Sequence, residues 1–319
     1  MEYKSCNLLE HGICFYETKL CSCCYTPQGK SQSTPFFYPL YNGEKVSTDL
    51  LFSKINRYRE YAKNNKYLYP CKDCYKLENR NWSEENYIDQ VYITHFKNCN
   101  ADCIYCITEA TAEDKKKKTY NIMPVLNDLR DKGILKEGCE FHIGGGEFSI
   151  YRECNDIINT YILSGFTEIC AIATNGIAYS EAIFNAMNHN RAVIIISLDC
   201  GSERMYKKIK RVNAFNSVIN NLRKYTKTKT CRQNTFLKYI ILPGINNNRK
   251  EFEKFLNIAE NFGIQGIKID IDGKYCSRKN YILDKKDWNY SANIIDYAKN
   301  RGFEVETFSF YNQCLAAKC

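Results

Sequence analysis

An alternation of strand-like and helix-like segments from about residue 90 to residue 271 limits the possible folds more than any other feature. The hydrophobic pattern predicts six strands separated by helical stretches. The predicted strands are 90–96, 140–143, 168–174, 192–198, 235–242 and 266–271. Such alternation implies parallel strands joined by right-handed crossovers, in an open doubly wound sheet or a full or partial barrel. The sequence therefore predicts an α/β fold.

Helices are predicted between and beyond these strands. They are 123–132, 151–164, 180–189, 203–210 continuing to about 225, 250–261 and, after the last strand, 285–300. A strand-like run at 303–308 is followed by a tail that contains Cys314 and Cys319. The tail either caps the open end of a barrel or lends a thiol to a metal site elsewhere, and the sequence leaves both possibilities open.

Three cysteines, Cys99, Cys103 and Cys106, follow the first predicted strand directly. An extended run of that length spans roughly 25 Å, so one metal centre held by all three thiols requires a loop wrapped around it. Thiolates favour zinc and iron-sulfur centres, and closed structural sites of both kinds normally have four ligands. Three local cysteines therefore predict a site with one open coordination position, where a cofactor or substrate can bind.

The spacing Cys-x3-Cys-x2-Cys, with Tyr105 before the last cysteine, resembles the signature of the radical S-adenosylmethionine (SAM) enzymes. In that family the three thiolates hold three irons of a four-iron, four-sulfur ([4Fe-4S]) cluster, and SAM chelates the fourth iron. The resemblance implies reductive cleavage of SAM to a 5'-deoxyadenosyl radical, which takes a hydrogen atom from a substrate. The alternative is a structural zinc site with His95 as a possible fourth ligand.

Composition sets further bounds on this chain of 319 residues. No run approaches the length of a transmembrane helix and no signal-peptide core is present, so we expect a cytoplasmic protein without a membrane partner. In the cytoplasm thiols stay reduced, which makes the 18 cysteines metal ligands or buried small side chains more readily than disulfides. The net charge of +9 is spread over scattered lysines, as on a solvated face, and no nucleic-acid partner is expected.

Residues 1–85 carry seven of the cysteines. Their order is an early cysteine, a hairpin-like run ending in a Cys-Cys pair, a proline-rich passage, a helical stretch near 48–64 and a Cys-x2-Cys pair. This order is similar to that of the SPASM or twitch modules, which hold a second, auxiliary [4Fe-4S] cluster but usually follow the catalytic domain. The resemblance implies ligands among Cys6, Cys23, Cys24, Cys71 and Cys74, with zinc as the competing occupant. It leaves Cys14, Cys21, Cys314 and Cys319 open as further ligands.

Three parts of the chain follow from these patterns. We predict a cysteine-rich auxiliary-cluster module at 1–85 and a helix and strand extension at 276–319 that caps the barrel. Between them, 86–275 would form the partial (β/α)6 barrel of parallel strands that the radical SAM enzymes use.

Residues just past each predicted strand are the candidate cofactor ligands, because parallel barrels gather their chemistry at the carboxyl ends of the strands. Gly144, Gly145, Gly146 and Glu147 follow the second strand and resemble the family's GGE motif, whose backbone and acid hold the amino group of SAM. Thr174 follows the third strand in a Thr-Asn-Gly turn.

The fourth strand ends in Ser197 and Asp199, and similar residues of the family lie beside the ribose and methionine parts of SAM. An aspartate at this place can equally cap a helix. Lys210 and Arg211 compete for the SAM carboxylate, and Arg211 has the bidentate geometry that a carboxylate prefers.

Two other residues lie near the predicted strand ends. Lys238, in the fifth strand, either contacts substrate or faces outward, because a lysine inside a barrel is costly unless paired. Cys200 is a candidate hydrogen donor in case the reaction is an epimerisation, although a cysteine in such a place is more often a small core residue.

The predicted function is therefore a radical SAM enzyme that modifies a peptide, a protein or a carbohydrate and receives electrons from a donor such as flavodoxin or ferredoxin. Oxidation, epimerisation and cross-linking remain open, as does the fate of SAM, which is either consumed or regenerated. The alternative function is a noncatalytic zinc or iron-sulfur protein, including one that transfers electrons. Neither of those roles requires the glycine-glutamate loop or the six-strand repeat.

Overall fold

The structure is a computed structural model of the chain. It describes residues 2–16, 19–21, 38–39, 48–66, 74, 76–83, 85–108, 120–279, 282–307, 311–312 and 314–315. The predicted ligands Cys23, Cys24 and Cys71, together with Cys319, lie outside the described residues. Within the described ranges, no helix combines the length and the apolar character that crossing a membrane requires.

A single ten-stranded sheet dominates the described part of the chain, and its strand order is β12-β11-β10-β9-β8-β7-β6-β2-β3-β4. The eight strands from β12 to β2 in this order are parallel to their neighbours, whereas β3 and β4 are antiparallel. A separate antiparallel pair joins β1 and β5. The strands are β1 (Glu2–Ser5), β2 (Gly12–Phe15), β3 (Lys19–Cys21), β4 (Tyr38–Pro39), β5 (Glu78–Asn81), β6 (Ile88–Ile93), β7 (Leu135–Ile143), β8 (Thr167–Thr174), β9 (Ala192–Ser197), β10 (Thr235–Ile241), β11 (Gly266–Ile271) and β12 (Glu304–Thr307).

Helices lie between the strands along the chain. They are α1 (Asn7–His11), α2 (Thr48–Lys63), α3 (Met123–Asp131), α4 (Cys154–Ile157), α5 (Glu181–Asn188), α6 (Glu203–Lys210), α7 (Phe215–Tyr225), α8 (Lys229–Gln233), α9 (Arg249–Asn261), α10 (Gly273–Arg278) and α11 (Lys285–Asn300). Short 3-10 and π-helical turns occupy Phe148–Ile150 and Ile158–Leu163. The helical stretch predicted from 203 to about 225 is divided in two, because Arg211 takes a left-handed φ of 56° that ends α6.

The predicted α/β fold of parallel strands with helices is confirmed, and all six predicted strands are present as β6 to β11 in chain order. Two further strands, β2 and β12, extend the parallel set beyond these six at its two ends. The sequence signal missed β2 because about 70 residues separate it from β6, so it lies outside the strand-helix rhythm. The strand-like run at 303–308 is confirmed as β12.

The core has two parts. The larger cluster packs alternate residues of the parallel strands, such as Val91, Phe141 and Ile172, against the helices. A smaller cluster lies under the N-terminal segment and contains Cys6, Cys14 and Cys21 together with aromatic residues. Since β2 pairs with β6, the N-terminal segment contributes a strand to the main sheet, and the boundary near residue 85 stays a prediction.

Candidate functional site

A cavity of about 240 Å³ lies where β6 to β11 reach their carboxyl ends. Its lining brings together most of the residues that the sequence predicts for a cofactor site. They are the three cysteines Cys99, Cys103 and Cys106, the loop Gly144, Gly145, Gly146 and Glu147, and the side chains of Thr174, Ser197 and Lys210. Lys238 also lines the cavity, so of its two predicted placements the structure has the inward one.

Backbone hydrogen bonds hold the cysteine loop from both sides. On one side, the amides of Asp102 and Ile104 donate to the last carbonyls of α6, those of Lys210 and Ile209, both at 3.0 Å. On the other side, the amide of Glu147 donates to the carbonyl of Asn98 at 2.7 Å, and the amide of Gly146 donates to Phe96. The loop is therefore fixed by tertiary contacts before any metal is considered.

The three glycines of the 144–147 loop differ in the space that surrounds each Cα. A Cβ at Gly146 would stand 2.3 Å from the Asn98 carbonyl oxygen, and one at Gly145, whose φ is +94°, would stand 2.9 Å from the Phe96 carbonyl oxygen. These two glycines let the turn pack against the cysteine loop. A Cβ at Gly144 would meet no protein atom within 4 Å, although Gly144 lines the cavity.

The three thiols are half-buried and share one electrostatic environment. Burial raises the pKa of Cys99 to about 11, and the charges of Glu147, Cys103 and Cys106 act in the same direction. Burial also raises the pKa of Cys103. A thiol with so high a pKa is protonated at neutral pH, so a metal centre that binds here must displace protons.

This donor set fits a [4Fe-4S] cluster better than a single zinc ion. Three thiols from one loop border a cavity with free space beside the glycine turn, as a cluster with one open iron requires. Among the described residues, no three ligand-type side chains are grouped so as to hold one metal ion. His95 does not line the cavity with the three thiols, and its buried ring packs against Phe96 and is hydrogen-bonded through Nε2 to the Tyr151 hydroxyl at 2.8 Å.

Glu147 has no exposed surface and is held by four donors. Its Oε1 accepts from the Ser149 amide, the Ser149 hydroxyl and the Thr174 hydroxyl, and its Oε2 accepts from the Asn175 amide at 2.6 Å. Thr174 therefore positions Glu147 as well as bordering the cavity. Asn175, which also lines the cavity, was not singled out from the sequence, because a Thr-Asn-Gly turn needs no ligand to explain it.

Lys210, Asp199 and Tyr105 form a buried network beside the cysteine loop. The Lys210 ammonium donates to Asp199 Oδ2 and to the Tyr105 hydroxyl, and that hydroxyl donates to Asp199 Oδ2, each at 2.5 Å. Burial by itself lowers the pKa of Lys210, but the Asp199 carboxylate and the Cys103 thiol outweigh it and raise the pKa above its usual value. Asp199 Oδ1 accepts from the Ile240 amide.

This network bears on two of the predicted assignments. Asp199 is fully buried and does not line the cavity, and both of its carboxylate oxygens accept hydrogen bonds from within the protein, so its contact with a ribose hydroxyl stays a prediction. Of the two basic candidates, Lys210 borders the cavity, whereas the Arg211 side chain is 59% exposed and lies 3.5 Å from Asp102. Ser197 remains at the cavity as predicted.

Two further cysteines lie in the main core. Cys200 is fully buried there and its thiol donates to the Leu198 carbonyl at 3.4 Å, which is the environment of a small core residue. Cys314 is buried in the same core with its Sγ 3.4 Å from that of Cys276, which separates it from the N-terminal cysteines.

The N-terminal cysteines are only partly described. Cys6, Cys14 and Cys21 are buried in the smaller cluster, Cys14 lies opposite Cys21 in the β2–β3 pair, and Cys74 is half-buried. Because Cys23, Cys24 and Cys71 lie outside the described residues, the auxiliary ligand set stays a prediction.

Known proteins are similar to this chain in sequence. A family model described as the Radical SAM superfamily matches residues 93–259, more than half of the chain. GTP 3',8-cyclase of Clostridium botulinum is 23% identical over 222 residues, covering 66% of this chain and 66% of that protein. GTP 3',8-cyclase of Clostridium perfringens is 26% identical over 180 residues, covering 54% of this chain and 52% of that protein.

Solved structures are similar as well. Streptococcus suis SuiB bound to the precursor peptide SuiA matches with a TM-score of 0.55 and 12% identity, covering 86% of this chain and 57% of that one. The structure of anSMEcpe with bound AdoMet matches with a TM-score of 0.50 and 16% identity, covering 68% of this chain and 63% of that one. At these identities the likeness shows the fold, and this chain spans between about half and two thirds of the length of these relatives.

Proposed function

We propose that this chain, which belongs to the radical SAM superfamily, is an enzyme. It would bind a cluster and SAM in the cavity and use them to abstract a hydrogen atom from its substrate. Cys99, Cys103 and Cys106 would hold the [4Fe-4S] cluster. The observation that carries the proposal is that these thiols and the Gly144–Glu147 loop line one cavity. When bound, the reduced cluster and SAM supply a 5'-deoxyadenosyl radical, as they do in the family.

The residues of the chain have separate tasks in this proposal. The two backbone contacts of α6 and the glycine turn hold the cysteine loop in shape before the cluster binds. Gly144 offers a stretch of backbone without a side chain to the cofactor, and Glu147 fixes the turn that presents it. Ser197 offers a hydroxyl from the end of β9. The Lys210 ammonium, neutralised by Asp199, orients Tyr105 within the cysteine loop.

The substrate class is part of the proposal. A peptide, protein or carbohydrate is our first candidate, because the N-terminal cysteine pattern resembles that of the SPASM and twitch modules, which accompany such modifications. A nucleotide is the second candidate, since the relatives matched by sequence are named GTP 3',8-cyclases. Lys238 and Asp270 both line the cavity as an ion pair at 3.9 Å, and together they offer an N–H donor and an acceptor to polar groups of the substrate.

We also propose the partners and the setting. Members of this family need a reductant and a substrate, and a flavodoxin or ferredoxin would serve as the electron donor. A second cluster in the N-terminal segment would exchange electrons with the substrate or ligate it. A cytoplasmic location fits a chain whose cysteines must stay reduced to bind metal.

Anaerobic reconstitution tests the proposal. We expect a brown protein that cleaves SAM to 5'-deoxyadenosine when dithionite is added, with about four irons per cluster. A variant with Cys99, Cys103 and Cys106 changed to alanine should lose one cluster and all cleavage of SAM. Cys200→Ala, the matched control, should retain that cluster and the cleavage of SAM. A colourless protein that binds zinc and leaves SAM intact would refute the proposal.

A further inference from the structure

Asn175 connects the cysteine loop to the Gly144–Glu147 turn. Its Nδ2 donates to the Cys99 thiol at 3.6 Å and to the Asn100 side-chain oxygen at 2.6 Å. Its backbone amide donates to Glu147 at 2.6 Å. The residue is 7% exposed, so water competes little for these contacts.

The orientation of the Asn175 amide is fixed by a third contact. Its Oδ1 accepts a hydrogen bond from the Ile177 amide at 2.9 Å. A flipped side chain would turn Nδ2 towards that N–H donor and would face the Asn100 oxygen with another oxygen, so both bonds would be lost. An N–H group therefore points at the Cys99 sulfur.

A donor aimed at a cluster sulfur changes the electron affinity of the cluster. Reduction adds one negative charge, part of which rests on the sulfurs, and an N–H donor stabilises that charge. We propose that Asn175 is a positioning residue that raises the reduction potential of the cluster held by Cys99 and ties this cluster to Glu147. The inference rests on the proposed cluster at Cys99, Cys103 and Cys106.

Asn175→Asp is the sharpest variant, because the carboxylate keeps an oxygen for the Ile177 amide while it removes the N–H donor and adds a negative charge. We expect a full iron content and a shift of the potential to more negative values. The measurement is a potentiometric titration followed by electron paramagnetic resonance, without SAM. The relevant signal is the one that changes when SAM is added afterwards.

Asn221→Ala is the matched control. The Asn221 side chain donates to the carbonyls of Gly176 and Ile177 at 3.1 and 2.9 Å, so it supports the same turn without contacting a sulfur. We expect its potential to equal that of the unchanged protein. An equal shift in both variants would show a general effect of the turn and overturn the assignment to Asn175.

A measurement on the unchanged protein makes the test independent of variant folding. With ¹⁵N placed only in the side-chain amide of asparagine, so that the backbone nitrogens of Asn98 and Asn100 carry no label, pulsed electron paramagnetic resonance should detect a hyperfine coupling between the reduced cluster and a side-chain amide nitrogen. Absence of that coupling, or an unchanged potential in Asn175→Asp with full iron, overturns the inference. A protein whose iron does not depend on Cys99, Cys103 and Cys106 would instead overturn the proposed cluster site.

Discussion

At the scale of single residues, the site depends on buried charges that are each paired with a charge of the opposite sign. Lys210 and Asp199 have no exposed side-chain surface, and neither is solvated by water. A second such pair joins Arg59 and Glu10 at 2.7 Å under the N-terminal segment. Buried ion pairs stabilise a fold little more than an apolar pair of the same size does. Removing one partner, however, leaves an uncompensated buried charge.

Asp199→Ala should therefore destabilise the fold strongly. The Lys210 ammonium would stay buried without its carboxylate, at a cost of about 3–5 kcal/mol. Urea unfolding of the purified protein measures this loss. Lys279→Met is the control, because Lys279 and Asp284 form an exposed pair whose contribution is about 0–1 kcal/mol. Equal midpoints for the two variants would contradict the prediction.

Acid should weaken the fold through two buried histidines. Burial lowers the pKa of His95 to about 3 and that of His11 to about 4. Below pH 6.5 the unfolded chain therefore binds protons that the folded chain does not, so stability falls as the pH decreases from 6.5 towards these values. Each histidine should lower the free energy of unfolding by about 2 kcal/mol between pH 7 and pH 5.

Urea midpoints at pH 7 and pH 5 test this prediction. His11→Asn should reduce the pH dependence, because it removes one of the two buried imidazoles. A His11→Asn protein with the full original pH dependence would show that other groups cause the loss.

At the scale of elements, the site is a contact between two loops that follow neighbouring strands. The cysteine loop follows β6 and the glycine turn follows β7, and these strands are parallel neighbours with Ile93 opposite Ile143. Both loops therefore leave the sheet at the same edge. Their backbones approach so closely that only glycine fits at position 146.

Gly146→Ala and Gly144→Ala should separate the two roles of the turn. The Cβ at position 146 would collide with the Asn98 carbonyl, move the cysteine loop and abolish iron binding. The Cβ at position 144 meets no protein atom, so iron content should stay normal while SAM affinity falls. Iron assays and equilibrium dialysis with SAM measure these effects, and normal iron in Gly146→Ala would contradict the assignment.

At the scale of the whole molecule, the N-terminal segment completes the sheet. β2 covers the edge of β6 with four parallel pairs, from Gly12–Gln90 to Phe15–Ile93. Arg59 of α2 anchors the same segment through Glu10. The strand that leads into the cysteine loop is therefore an internal strand of the sheet.

Deletion of residues 1–21 should expose β6 as an edge strand. Unpaired strand edges pair with other chains, so we expect the shortened protein to aggregate and to bind less iron. Size-exclusion chromatography under anaerobic conditions measures the first effect. A monomer with normal iron would show that 86–275 folds without the N-terminal strand.

The order of the strands β6 to β11 and the three clustered cysteines could be predicted from the amino-acid sequence, because hydrophobic periodicity and ligand spacing are local patterns. Local patterns also located the glycine turn. Packing of the folded chain pairs Asp199 with Lys210, buries Cys200 in the core and brings Asn175 to the Cys99 thiol. It also places β2 in the sheet beside β6. These contacts join residues that lie up to about 80 positions apart, and the partner of a buried polar group is fixed by packing, which no local pattern encodes.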